Sequence, residues 1–245
     1  MTFPMLVINR AADVKRREAF CDAAKGYDVT FIDAVDARAG AGVFKPYLGL
    51  LRDQFWLGGD IKPGAFACFI SHRLAWLKIV DDGIDVALIA EDDSRICAMD
   101  WNGIGVVDLT FVNDRAGLWA PSGQVSEVLR AQANGLPRAF GGDGYVLTLN
   151  GVKTLLAQSQ KDGIVCGVDW YLLYAGLDTE NLKHRDVVAV PEVKRMWKVL
   201  GPRAPILNSR VAQKPWLINA KNNDSSINHS HRINIKLFRQ AIENV

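Results

Sequence analysis

Val86-Ala87-Leu88-Ile89-Ala90-Glu91-Asp92-Asp93 places five apolar residues in a row directly before three carboxylates. An apolar run of this length, without alternation, is what a strand needs when both of its faces are covered. The acidic trio then falls at the end of a buried strand, where open α/β sheets bind ligands. Adjacent carboxylates repel one another, so stability gives little reason to place them together. Clustered carboxylate oxygens suit a hard cation such as Mg2+ or Mn2+. The plain alternative is an acidic turn after a strand.

On the N-terminal side of this run, Pro63-Gly64 opens and Gly83 closes the clearest helix. Ile70, Leu74, Leu77 and Val80 fall at helical spacing, and Cys68, Ala75 and Ile79 make a second apolar side, which predicts deep burial. His72 lies in its middle. Further back, Met5-Leu6-Val7-Ile8 reads as a first strand, 13–25 as a helix stopped by Gly26, and 29–32 as a second strand that ends at Asp33-Ala34-Val35-Asp36. The glycine-rich stretch 40–59 reads as a loop with short helical pieces. On the C-terminal side, 106–112, 145–149 and 187–190 read as strands. Asn150 is placed to cap a helix through Ser159, and Asp169 one that starts at Trp170. Strands alternating with helices predict an α/β fold with a mostly parallel central sheet flanked by helices.

A chain of 245 residues suits one such domain with an elaborated tail. Charge is uneven along it. Residues 1–182 carry 17 Lys+Arg against 23 Asp+Glu, whereas 183–245 carry 12 against 4. The C-terminal quarter is therefore basic and suited to anions, whether phosphates, an anionic lipid surface or nucleic acid, unless it is simply a solvated face. Between 231 and 245, Ile233, Leu237 and Ala241 recur four apart, with Phe238 and Ile242 alongside and Arg232, Lys236 and Arg239 on the remaining surface. Such a stripe either lies in a membrane interface or packs on the domain. Met1 to Arg10 does not read as a secretory signal, and no stretch approaches the roughly 18 apolar residues that span a bilayer. Cys21, Cys68, Cys97 and Cys166 lack any CxxC spacing, which argues against a zinc site and a disulfide framework and reads as reduced core thiols in a cytoplasmic protein. Asn9-Arg10 stands where a haloacid-dehalogenase-type phosphatase needs its nucleophilic Asp. Gly141-Gly142-Asp143-Gly144 leads into a strand and is no dinucleotide loop, and no Walker A or nucleic-acid module is present.

Five blocks run in one order. They are Val7-Ile8-Asn9 with Arg16-Arg17-Glu18; Ile32-Asp33-Ala34-Val35-Asp36; Cys68-Phe69-Ile70-Ser71-His72 with Trp76; Leu88 to Asp93; and Gly144-Tyr145-Val146-Leu147 with Val168-Asp169. Together they resemble glycosyltransferase family 25, the lipooligosaccharide-type enzymes. The chain departs from that pattern at Ala65, because the family usually has Gly-Glu-x-Gly-Cys where Gly64-Ala65-Phe66-Ala67-Cys68 stands here.

The resemblance implies a GT-A-like fold and a catalytic, nucleotide-sugar-binding domain over 1–182. The basic extension 183–245 would be packed on that domain or continue it. It implies a nucleotide-diphosphate sugar donor, often a UDP-sugar such as UDP-galactose, and a surface-glycan or glycolipid acceptor. It also implies inversion at the anomeric carbon, with Mn2+ or Mg2+ on Asp93 and Asp92. Asn9, Arg16, Asp33, Ala34 and Val35 are the candidates for the nucleotide seat, with Ser71, Glu91 and Asp92 beside them. Asp169 is the first candidate for the base that removes the acceptor proton, Asp143 the second, and His72 a further catalytic candidate. Bland roles remain open for each: a helix cap for Asp169, a turn residue for Asp143, a hydrogen-bonded core group for His72. Nucleic acid is not an expected partner, and peripheral contact with the inner face of an anionic membrane fits a lipid-linked acceptor. A catalytically silent relative that binds a nucleotide or glycan is the other reading, and Ala65 gives it room.

Overall fold

Strand β1 (Met5–Asn9) runs through helix α1 (Val14–Ala23) into β2 (Val29–Asp33). Two 3-10 segments, Ala37–Ala39 and Ala41–Leu50, and a short β3 (Asp60–Ile61) precede helix α2 (Pro63–Asp81), which leads to β4 (Val86–Glu91). Five short strands follow: β5 (Ser94–Ile96), β6 (Leu109–Phe111), β7 (Asn113–Asp114), β8 (Gly123–Gln124) and β9 (Gly144–Thr148). The chain then forms helices α3 (Leu149–Asp162), α4 (Val168–Ala175) and α5 (Pro191–Leu200), strands β10 (Ser209–Val211), β11 (Leu217–Asn219) and β12 (Ile233–Asn234), and helix α6 (Ile235–Glu243). This computed structural model describes residues 3–55, 58–97, 99, 104–114, 123–124, 141–180, 191–212, 216–219 and 231–245. The strand expected at 187–190 lies outside the described residues.

The central sheet has the order β2-β1-β4-β9-β6-β10-β8. β1 pairs in parallel with β2 and β4, and β10 with β6, while β9 is antiparallel to both β4 and β6 and β8 to β10. Five strands thus point one way, and the expected mixed α/β fold with a mostly parallel sheet is what the chain adopts. The apolar run decides this centrally: Ala87, Leu88, Ile89 and Ala90 are all fully buried. Their alternation sorts them onto two cores. Ala87 and Ile89, with Leu6 and Ile8 of β1, join the larger cluster that includes Phe69, Ile70 and Trp76 of α2. Leu88 and Ala90, with Met5 and Val7, join a smaller cluster around Phe20 of α1. Strand period 2 delivers one residue set to each layer.

α2 is as buried as its two apolar sides require, with Pro63 in its first turn and Gly83 in a left-handed conformation just past its end. Ala65 is buried in the same helix. A carboxylate there would be a buried charge in need of a partner. The exception is Leu77, which is exposed. Cys21 is exposed too, so the reading of all four cysteines as core thiols is wrong for it. Both capping expectations shift by two residues. Thr148, not Asn150, caps α3, its hydroxyl accepting the Gly151 N–H at 3.1 Å. α4 begins two residues earlier than expected, so Asp169 sits inside its first turn and Gly167 is the cap. The strand expected over 106–112 narrows to β6.

The C-terminal residues enter this framework directly. β10 is a strand of the central sheet, β11 joins β5 and β7 in a three-stranded sheet, and β12 pairs with β3. The stripe of α6 differs from the expected one: Ile235, Phe238 and Ile242 are buried, while Leu237 and Ala241 face solvent. Phe238 packs edge-on against Phe44 and Phe66, with centroids 5.2 and 6.0 Å away. Among the described residues, no helix is long and apolar enough to cross a membrane.

Candidate functional site

β1, β2 and β4 are parallel, so their C-terminal ends meet at one edge of the sheet. β9 runs the other way, and its first residues therefore reach the same edge: the Glu91 N–H donates to the Asp143 carbonyl at 3.4 Å. The edge thus collects Asn9, Asp33, Glu91, Asp92, Asp93 and Asp143. Backbone bonds lock it, with Asp92 N–H donating to Ile8 O at 3.1 Å and Ala34 N–H to Asn9 O at 2.9 Å.

Asp92 and Asp93 share a guanidinium. One Arg16 nitrogen lies 2.8 Å from Asp92 Oδ1 and 3.1 Å from Asp93 Oδ2, and the Asn9 amide donates to Asp92 Oδ2 at 2.7 Å. The α1 helix turns Arg16 toward the edge. Asp13 lies between Arg16 and the buried Arg10, 3.6 Å from the former and 2.5 Å from the latter. One arginine does not balance this edge. Burial pushes the Asp92 carboxyl up, with Asn9 and Arg16 opposing and Glu91 adding to the rise. Asp93 is pushed up to about 7, first by burial and then by Glu91, against Arg16, with Asp92 and Asp143 adding further repulsion. Asp93 Oδ1 and Asn9 Oδ1 are buried without a hydrogen-bond donor among the described residues. A hard divalent cation fits this set, because it takes oxygen ligands and relieves the repulsion between the carboxylates.

Not every expected seat residue presents a free group to the edge. The Val35 N–H is held by Ser71 Oγ at 2.9 Å, and that hydroxyl donates to Ala67 O at 2.8 Å. With the Ala34 N–H also spent, the 33–35 segment is a braced turn between β2 and α2, and its exposed side chain is Asp33. His72 is fully buried. Its Nδ1 lies 2.7 Å from the Tyr145 hydroxyl and its Nε2 3.3 Å from Glu91 Oε1. Trp76 Nε1–H donates to the same hydroxyl at 3.0 Å. Glu91 Oε1 therefore faces α2, where it also meets Cys68 Sγ at 3.9 Å.

The two base candidates are treated differently. The Asp143 side chain is fully buried and takes a short hydrogen bond from the Asn113 amide. Asp169 is partly exposed, and its Oδ1 accepts the Gly142 N–H at 2.7 Å. Gly142 is the hinge of this contact. A Cβ built on it would sit 2.6 Å from Asp169 Oδ1 and 3.5 Å from His72 Nε2. The structure therefore gathers Asp169, His72, Glu91 and Asp143 around one turn, although they come from α4, α2, β4 and the start of β9. Reading the sequence alone missed Tyr145, Trp76 and Asn113 as partners. Only Trp76 and Tyr145 had a signal, as members of the quoted blocks, and nothing marked Asn113.

Residues 2–98 match the model of glycosyltransferase family 25 (LPS biosynthesis protein). This bears out the resemblance over the segment that holds Asn9, Arg16, the 33–35 turn, Ser71-His72 and the acidic trio. The blocks at 144–147 and 168–169 lie beyond the matched residues. Among solved structures, a glycosyltransferase involved in the glycosylation of the major capsid of PBCV-1 is similar over the full length of both chains, at 8% identity and a TM-score of 0.39.

Proposed function

We propose that this chain is an inverting glycosyltransferase. It would move a hexosyl group, galactose or a related sugar, from a nucleotide-diphosphate donor of the UDP-sugar type to a hydroxyl of a surface-glycan or lipooligosaccharide acceptor. The observation that carries this reading is the under-neutralised Asp92–Asp93 pair beside Asn9 and Arg16, at the sheet edge of a segment that matches a glycosyltransferase family. The strand directions, with β9 reversed between the parallel strands β4 and β6, agree with a GT-A-like fold.

Each residue then has a task. Asp93 and Asp92 hold Mn2+ or Mg2+, which would offset charge on the departing diphosphate. Arg16, partly exposed, turns its remaining N–H groups to the phosphates, and Asn9 holds Asp92 in place. Asp33 lies at the exposed end of β2, where it can accept hydrogen bonds from a ribose or base. Asp169 accepts the proton of the attacking acceptor hydroxyl. Its bond from the Gly142 N–H fixes the orientation of the carboxylate for that transfer. Asp143 is shut off from solvent and acts on Asp93 through charge. His72 orients Glu91 and does not meet substrate.

The test is UDP release from UDP-sugars with a lipooligosaccharide acceptor, with and without Mn2+. Release should require the metal and be lost in Asp92→Asn and Asp93→Asn. Normal turnover by both variants in chelator would remove the metal assignment. Donor binding without any turnover would leave a silent nucleotide-sugar-binding protein.

A further inference from the structure

We propose that Cys68, His72 and Glu91 form a binding site for a thiophilic divalent cation of the zinc class, separate from the Asp92–Asp93 pair. Their ligand atoms, one sulfur, one imidazole nitrogen and one carboxylate oxygen, lie within 4.8 Å of one another. In a tetrahedral site with the usual Zn–N, Zn–O and Zn–S lengths, neighbouring ligand atoms are roughly 3.3–3.8 Å apart. His72 Nε2 and Glu91 Oε1 are 3.3 Å apart, and Cys68 Sγ and Glu91 Oε1 3.9 Å. The sulfur and the imidazole nitrogen lie within 4.8 Å of each other, and side-chain rotation of up to about 1 Å completes the set.

The fold builds this triangle from two elements. Residues 68 and 72 are one turn apart on α2, so their side chains share a face, and β4 brings its last residue to that face. The imidazole is oriented from behind. Its Nδ1 meets the Tyr145 hydroxyl, which Trp76 also holds, and the two rings stack at 5.6 Å. A second partner on the far nitrogen is what aims a histidine at a metal. Burial keeps the Tyr145 hydroxyl protonated, so it remains a neutral partner.

Without an ion, the Nε2–H tautomer of His72 and the Cys68 thiol both donate to Glu91 Oε1. On binding, the thiol proton leaves to solvent, the imidazole proton shifts to Nδ1 and is donated to Tyr145, and three ligands face the ion. Three protein ligands leave a fourth position for water, and Glu91 is partly exposed. The sulfur and nitrogen ligands favour Zn2+, Co2+ or Cd2+ over Mg2+. Asp92 and Asp93 offer only oxygens and face Arg16, so the two sites select different ions.

The experiment titrates the full-length, metal-free protein with Co2+ and then displaces it with Zn2+, with no donor sugar present. One Co2+ per chain should bind with a thiolate-to-cobalt absorption band that Zn2+ abolishes. Cys68→Ser should lose the band and weaken Zn2+ binding at least tenfold, as should His72→Asn if circular dichroism shows it folded. Cys97→Ser and the double variant Asp92→Asn/Asp93→Asn should keep the band, although the latter loses Mn2+-dependent transfer. Three results would overturn the proposal: no band in the folded wild type, a band unchanged in Cys68→Ser, or loss of the band in the aspartate double variant. Because the band is read without turnover, failure of this site and failure of the transferase reading are told apart.

Discussion

Asp93 sits at an electrostatically strained position, buried beside Glu91 and Asp92. Its carboxyl is pushed up to about 7, so between about pH 4 and 7 the folded state holds a proton that the unfolded chain has released. Stability therefore falls as pH rises through that window, and the penalty is complete above it. Asp93→Asn removes the penalty and should stabilise the metal-free protein at pH 8 by on the order of a few kcal/mol, with the gain vanishing near pH 4. Urea unfolding in chelator across this range measures it, and a loss of stability at pH 8 would mean that the Arg16 pair outweighs the repulsion. Asp169 tests the chemistry instead. Asp169→Asn can still accept the Gly142 N–H, so melting temperature and donor affinity should hold while kcat drops by roughly two to four orders of magnitude. Calorimetric donor titration beside single-turnover rates separates these; unfolding with normal residual turnover would make Asp169 structural only.

Two local elements carry the arrangement: the turn before β9 and the C-terminal helix α6. Gly142→Ala leaves an ordinary backbone conformation available, because this glycine is not among those with positive φ. Its new Cβ would press on Asp169 Oδ1 and on Val168 Cγ1, 2.9 Å away. Transfer should fall at least tenfold with donor affinity kept, and wild-type kcat in this variant would show that the turn tolerates displacement of Asp169. In α6, Phe238 closes an aromatic trio with Phe44 and Phe66, whose own rings are 5.5 Å apart. Phe238→Ala should cost about 3–5 kcal/mol, whereas Leu237→Ala, on the exposed side, should cost less than about 0.5 kcal/mol. Denaturant midpoints of the two variants compare the faces directly, and equal losses would mean that the helix is seated differently.

At the scale of the whole chain, the charge asymmetry has to be read against the packing. The apolar side of α6 is used within the protein, and Arg239 donates to Leu51 O at 2.8 Å and pairs with Asp53. Arg232 and Lys236 remain exposed. If the basic tail meets an anionic membrane, it does so through charge and not by insertion. Vesicle co-sedimentation should then occur at low salt on anionic vesicles only. It should disappear as the Debye length shortens toward about 8 Å at physiological salt and weaken in Arg232→Gln/Lys236→Gln. Absence of binding at low salt would remove the membrane role.

Local pattern was enough for β4, α2 and the acidic end of the strand. An unbroken apolar run requires two covered faces, and 3.6-residue spacing requires a helix, whatever the rest of the chain does. The same logic placed Asn9 and the 33–35 turn at strand ends, and hence near Glu91-Asp92-Asp93. Strand direction has no such local signature. The reversal of β9 brings Asp143 and Gly142 to the edge where β1 and β4 end, and it follows from packing across the whole sheet. Partner choice is equally non-local. Arg16 is a seat candidate by sequence, but its partners Asp92 and Asp93 are set only when α1 packs against the sheet. Cys68 and His72 share a helix face by spacing alone, but only the seating of α2 on β4 sets Glu91 between them. Periodicity states which side of an element is apolar; which element covers that side, and what polar atoms meet there, is decided when the layers close.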